Sequence, residues 1–436
     1  MEVNTTKVEN GFVRHLGQLH GRILEVGSPS RFFDRALLEP IVLYKSCSST
    51  AVSCFVSNDG RTTVVLNWDF PTGSVGVNRI FVPSLVQSIS TFPTRKYEFG
   101  ECVGDLSASG KYLAFGGGDQ EASFKSSWLF FREKQEFFLC SVSDSGFNLI
   151  SRRYFQGNIN AVKFSPSEEY VAILHDDVNV VLMNVSGTVV WERSLINLND
   201  ATRKRITFSF SSSDELLMLI HHSGPMPRSG PEPKQLELFV CGPPFVRRCE
   251  NVAIQDPPKF TNKGARQAQL LDGDKLVVAS LDDNFVKVFQ IRKCDDRRCF
   301  QLIYTQSMDI PFAFTFQEPS YFDFAREPTG NWLGQQAYYK TEKDGSRSDG
   351  SGHQRIFRMN RLRPTASKRP PHVTEWRSAE REACGYEWNC PAEISCAISG
   401  EWCAFLSKTR DGPVFGVTNL RPFLSGAGPW SMLEPR

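Results

Sequence analysis

Four cysteines, Cys384, Cys390, Cys396 and Cys403, fall within 20 residues of one another, with His372 upstream. Thiolates and an imidazole so close in sequence are the ligand types of a structural zinc site. The spacing argues against that site. Five, five and six residues intervene, and none of the 12 cysteines of the chain forms a CxxC pair. Cys396 and Cys403 also fall on expected strands, where Cys packs as a small hydrophobe. No metal and no cofactor is therefore assigned. Cys294 and Cys299, in RKCDDRRC, suit an exposed disulfide if the surroundings are oxidising. His175-Asp176-Asp177 and Leu281-Asp282-Asp283 occupy tight turns. Acidic pairs there could approach a cation, but their expected task is to accept backbone N–H bonds, and no D-x-D-x-D-G calcium loop occurs. Gly116-Gly117-Gly118 is followed by neither GK[ST] nor GxGxxG, so a flexible loop is expected rather than a phosphate cradle. With no GxSxG, no HExxH and seven scattered histidines, no catalytic residue is assigned.

The densest basic run is Arg355, Arg358, Arg361, Arg363, Lys368 and Arg369. Such a run could contact RNA or an acidic protein electrostatically, but a solvated strand and loop is its ordinary setting. The whole chain balances 50 Lys plus Arg against 48 Asp plus Glu, a formal charge of +2. So neutral a chain gives no global argument for nucleic acid or anionic membrane. An apolar fraction of 40% with 34 Phe supplies a substantial core and argues against disorder. The opening residues, MEVNTTKVENG, are polar, and no run reaches the 18 or so apolar residues of a membrane helix. A cytoplasmic or nuclear protein with mostly reduced thiols and no membrane insertion is expected, and the sequons at Asn4 and Asn184 are not expected to carry glycans.

The elements that would position these residues repeat. From Asn158 to Arg193 the chain holds four short apolar runs, Ala161 to Phe164, Tyr170 to Leu174, Val180 to Met183 and Thr188 to Trp191, each closed by a turn signal. Four such strands make one antiparallel sheet. A turn followed by a strand recurs seven times: SNDGRTTVVL around Gly60, SASGKYLAF around Gly110, SPSEEYVAI around Glu168, SSSDELLML around Asp214, LDGDKLVVA around Asp274, EPTGNWLG around Gly330 and ISGEWCAF around Gly400. Ser, Asn, Asp and Gly satisfy the backbone of a tight turn and tolerate its dihedrals. An aromatic or branched residue then opens the buried strand. Short runs that could serve as inner strands precede these turns, such as Val52 to Phe55 and Ile206 to Phe210. Runs suited to third strands follow them, among them LELFV, FVKVFQI, RIFRM and VFGV.

This pattern resembles the WD40-type repeat of β-propellers. FVKVFQI is the best match to the family's third strand, with Phe289-Gln290 standing where Trp-Asp is usual. The Trp68-Asp69 pair ends a second strand instead, and the Gly-His pair Gly352-His353 is expected in a hydrophilic loop. The resemblance implies an all-β, seven-bladed β-propeller over residues 46–420. An N-terminal segment, residues 1–45, would supply a ring-closing strand, either RILEV or IVLY, and residues 421–436 would form a C-terminal tail. Closure matters because it removes exposed sheet edges.

In that fold the loops joining strands two and three project from one face. Here those loops are long at Gly116 to Ser127, His221 to Lys234 and Lys340 to His353, and long loops on a rigid scaffold are where recognition sits. Asp119, His221, His222, Arg228 and Lys340 are the candidate partner-binding residues. The function expected is a non-catalytic scaffold that binds protein partners, as part of a multiprotein complex, through one face. Two alternatives stand: a propeller enzyme using the central channel, and an RNA-associated propeller using the basic run.

Overall fold

A computed structural model of the chain describes residues 24–25, 42–45, 51–69, 74–81, 86–93, 101–118, 134–196, 204–222, 236–243, 250–255, 265–271, 275–280, 285–294, 299–309, 321–326, 332–341, 352–361, 385–391, 395–399, 402–409 and 412–419. All regular structure among the described residues is β, in 29 strands.

Two short strands, β1 (Leu24–Glu25) and β2 (Val42–Lys45), pair with partners far along the chain. The first sheet is β3 (Ala51–Val56), β4 (Thr62–Asp69), β5 (Ser74–Phe81) and β6 (Val86–Pro93), hydrogen-bonded in chain order. The second is β7 (Glu101–Leu106), β8 (Tyr112–Gly118), β9 (Lys134–Ser143) and β10 (Gly146–Gln156). The third is β11 (Ile159–Phe164), β12 (Tyr170–His175), β13 (Asn179–Asn184) and β14 (Val189–Ser194). Those four strands fall on the four runs read from the sequence.

Next come β15 (Lys204–Phe210), β16 (Leu216–His222), β17 (Leu236–Cys241) and β18 (Glu250–Gln255), then β19 (Ala265–Leu271), β20 (Lys275–Ser280), β21 (Phe285–Lys293) and β22 (Cys299–Asp309). Each set is antiparallel within itself, but their outer strands β18 and β22 pair in parallel, so one sheet of eight strands results. No residue pattern marks that junction. A further sheet holds β23 (Tyr321–Arg326), β24 (Trp332–Thr341), β25 (Gly352–Arg361) and β26 (Gly385–Pro391), with β1 as a fifth strand. The last is β27 (Ser395–Ser399), β28 (Trp402–Thr409) and β29 (Gly412–Asn419), completed by β2. Val42 to Lys45 run antiparallel to Val417 to Val414. IVLY is thus the N-terminal run that completes the last sheet, whereas RILEV contributes Leu24 and Glu25 to the sheet before it.

The middle strands read as unbroken apolar runs because both faces of each sheet are covered. Side chains alternate across a strand, and here the two parities enter different cores. On β8, Leu113 and Phe115 join Phe55, Leu66 and Phe92 of the first sheet, while Ala114 joins Ile159, Val162 and Val171 of the third. On β12, Val171 and Ile173 face back to the second sheet's Phe137 and Leu139, while Ala172 and Leu174 face forward to Phe208 and Met218. On β16 the alternation continues, with Leu216, Met218 and Ile220 facing back and Leu217 and Leu219 joining Leu276 and Phe289 of β20 and β21. A sheet sandwiched in this way has no solvent face and needs no polar alternation. In the last sheet, β27 lies beside β3 of the first.

Candidate interaction face

The turns joining the first and second strands of successive sheets are built alike. In four of them a serine hydroxyl, on Ser57, Ser107, Ser165 or Ser211, accepts the N–H of Thr62, Tyr112, Tyr170 or Glu215 at 3.0 to 3.1 Å. The carbonyl of the same serine accepts the N–H of the turn residue, Gly60, Gly110, Glu168 or Asp214, at 2.8 to 3.0 Å. Those four turn residues have φ of 69°, 75°, 62° and 60°. That is the left-handed region, where a side chain is costly and glycine is not.

The turns also bond to one another across sheets. Asn58 N–H donates to Ala108 O at 2.9 Å. Ser109 gives its N–H to Glu168 Oε1 and its hydroxyl to Glu168 Oε2, the latter at 2.6 Å. Ser167 N–H reaches Asp214 Oδ1 at 3.1 Å. Ser399 Oγ donates to Asn58 Oδ1, which ties the last sheet to the first. Glu168 and Asp214 stand in a strained backbone position because their carboxylates hold the preceding turn. Where the turn residue is glycine, the neighbour leaves no room for a side chain. A Cβ on Gly60 would lie 2.1 Å from the Trp402 ring, and one on Gly110 would lie 2.9 Å from Thr62 Cβ.

These bonds put the first-to-second turns of successive sheets at one common end. In an antiparallel sheet the second-to-third connection leaves from the other end. At that opposite end β8 stops at Gly118 and β16 at His222; β24 stops at Thr341, after its own second-strand run. The connections that follow, residues 119–133, 223–235 and 342–351, lie outside the described residues, and with them Asp119 and Arg228.

Several expected positions need correcting. Gly116 to Gly118 belong to β8, paired with Val103 to Glu101, so they are strand and not loop. Gly116 is needed there for packing, since a Cβ would meet Ile159 Cδ1 at 2.2 Å. His221 and His222 are the last two residues of β16, not loop residues. His221 is 3% exposed, and its Nε2 accepts the N–H of Ala268 on β19 at 3.3 Å. It is a link between sheets rather than a rim residue. Lys340 and the Gly352-His353 pair are strand and not loop: Lys340 pairs with His353 and Thr341 with Gly352 at the ends of β24 and β25. Arg355, Arg358 and Arg361 lie along β25, an internal strand of its sheet, while Arg363, Lys368 and Arg369 fall outside the described residues.

The short turn between β12 and β13 shows what its acidic pair does. Asp176 and Asp177 both adopt positive φ, 53° and 58°. Their N–H groups donate to Asn158 O at 2.7 Å and Asn160 Oδ1 at 3.0 Å. The Asp177 carboxylate lies 3.5 Å from Arg205 Nη1 on β15. The turn's backbone thus ties to the residues around the start of β11, and its Asp177 carboxylate pairs with the next sheet. Asp282 and Asp283 lie outside the described residues. Beside this turn His175 is buried against Phe155, ring centroids 4.7 Å apart, with Nδ1 3.1 Å from Gln156 O. A carbonyl only accepts, so the hydrogen sits on Nδ1.

Cys396 and Cys403 occupy β27 and β28, and Cys390 occupies β26 in the neighbouring sheet. Among the described residues no group of three or more His, Cys, Asp or Glu side chains is placed to hold a metal ion, and no helix is long and apolar enough to cross a membrane. Cys294 and Cys299 are disulfide-bonded.

The β-propeller domain of Cps50 (Swd1) from Myceliophteria thermophila superposes on this architecture with a TM-score of 0.51, over 87% of this chain and 99% of that one, at 11% identity. The fold is a β-propeller. In all, 1033 chains of solved structures match, a breadth that identifies an architecture shared by many functions and not a task. No family model matches the chain, and no curated protein matches it in sequence.

Proposed function

We propose that the chain is a WD40-like propeller of seven blades, the eight-stranded sheet counting as two, that binds protein partners without catalysis. Residues 46–420 form the propeller in this reading, with residues 1–45 contributing the strand beside β29 and residues 421–436 a tail. Partners are gripped at the end of the sheets from which residues 119–133, 223–235 and 342–351 emerge. Asp119, His222, Arg228 and Lys340 remain its rim candidates, and His221 is withdrawn because it is buried between sheets. The compartment proposed is the cytoplasm or nucleus, as a member of a multiprotein complex.

One observation carries this reading: shared cores join neighbouring sheets, and turn-to-turn bonds lock them at one end, while β8 and β16 stop at the other. A rigid frame presenting variable segments in fixed register suits recognition of a protein surface. The test replaces each of the three connections by a short Gly-Ser turn, singly and together, and compares proteins co-purified with the wild-type chain. Specific partners should be lost while the thermal midpoint stays within a few degrees. An unchanged set of partners in the triple replacement would remove the proposal.

A further inference from the structure

The Cys294–Cys299 disulfide sits where two sheets are joined edge to edge. Among the described strand pairs, only β18 and β22 run parallel, over Ala253 with Cys299, Ile254 with Phe300 and Gln255 with Gln301. A parallel ladder of three residue pairs is weak by itself. Its position depends on where β22 begins. Cys299 is both the first residue of β22 and the first of the ladder. Cys294 directly follows β21, its Cα 5.4 Å from that of Cys299, and its N–H donates to Cys299 O at 3.0 Å. The disulfide therefore fastens the start of β22 to the end of β21. Next to it, Phe300 is buried in a core that contains residues of both sheets, including Leu238 and Val252 on one side and Phe289 and Leu302 on the other, with Ile254 packed against it. Both cysteines are partly exposed, unlike the buried thiols of Cys54, Cys140 and Cys241.

We propose that Cys294 and Cys299 form a reversible thiol–disulfide switch that clamps the β18–β22 ladder when oxidised and loosens it when reduced. The oxidant is a low-molecular-weight disulfide such as oxidised glutathione. The Cys294 thiolate attacks one of its sulfurs and expels a thiolate. The Cys299 thiolate then attacks the Cys294 sulfur of the mixed disulfide and expels the second. The pair loses two electrons and two protons, and the small disulfide becomes two thiols. Excess dithiol reverses the exchange.

Hydrogen exchange on the full chain tests this in glutathione buffers of opposite poise. Oxidation should slow exchange at 250–255 and 299–301 by about tenfold or more, with β11 to β14 unchanged. The double variant Cys294→Ser, Cys299→Ser should show the reduced-state rate in both buffers. Equal exchange in the two wild-type states would overturn the switch. So would a redox response that survives in the double variant, thiols left unmodified by excess oxidised glutathione, or a loss of protection that spreads to β11–β14 and marks a general staple.

Discussion

Glu168 shows how one residue can be locally unfavourable and globally useful. At φ 62° its backbone would prefer glycine, yet its carboxylate takes two bonds from Ser109 of the previous sheet. Changing it to Gly relieves about 1 kcal/mol of strain and loses exposed charge-assisted bonds of about the same size. Glu168→Gly should therefore be nearly neutral in urea unfolding, whereas Glu168→Ala keeps the strain, loses the bonds and should cost about 1–2 kcal/mol. Equal losses in the two variants would show that the backbone penalty is absent. Ser165 supplies another case: its hydroxyl accepts the Tyr170 N–H at 3.1 Å, and Ser165→Ala should cost about 1 kcal/mol by the same measurement. Cys140 gives the pH dependence. Burial pushes its thiol up from 9.0 to about 12, so the folded state holds the proton more tightly than the unfolded chain. Its contribution is complete below pH 9 and falls as pH rises toward 12. A thiol reagent at pH 8 should leave Cys140 unmodified until denaturant is added; rapid native-state labelling would contradict its burial.

At the scale of elements, the apolar continuity of EFFLC and YVAIL becomes intelligible once two cores are served by one strand. Phe138 lies 5.0 Å from Phe115 and 5.8 Å from Phe92 by ring centroids, so it bridges the first and second sheets. Phe138→Ala should cost about 3–5 kcal/mol in chemical denaturation, and Phe138→Leu much less. The junction between the last and first sheets is tighter still, with Gly60 set against the Trp402 indole. Gly60→Ala meets both a positive φ of 69° and that ring, and should lose more than about 3 kcal/mol. Pairing it with Trp402→Ala should restore part of the loss in a double-mutant cycle. No coupling between the two would mean that these sheets do not meet there.

At the scale of the whole molecule, β2 lies beside β29 with some 370 residues of chain between them, counting from Val42↔Val417. It covers an edge that would otherwise offer unpaired backbone groups to another chain. Leu43→Pro fixes φ and sets a pyrrolidine ring in the middle of the short strand, which distorts it. The variant should melt several degrees lower and self-associate in light scattering. A monomer of unchanged midpoint would show that β2 contributes nothing to closure.

The sequence by itself determined the repeated unit, because a short turn, with a serine three residues ahead in four of the seven copies, and an apolar strand behind it are local requirements that local residues meet. It also marked IVLY and RILEV as strands in search of a sheet, though not which sheet each would enter. Partner choice between distant strands is decided by packing, and only the tertiary structure put Val42 beside Val417 and Leu24 beside Glu387. The same holds for His221. Its place next to a long polar stretch suggested a rim, and only the approach of β19 to β16 turns it into a buried acceptor for Ala268. Glu168 and Asp214 were legible as turn residues from their position, but their grip on the preceding turn depends on how neighbouring sheets stack, which no single repeat encodes.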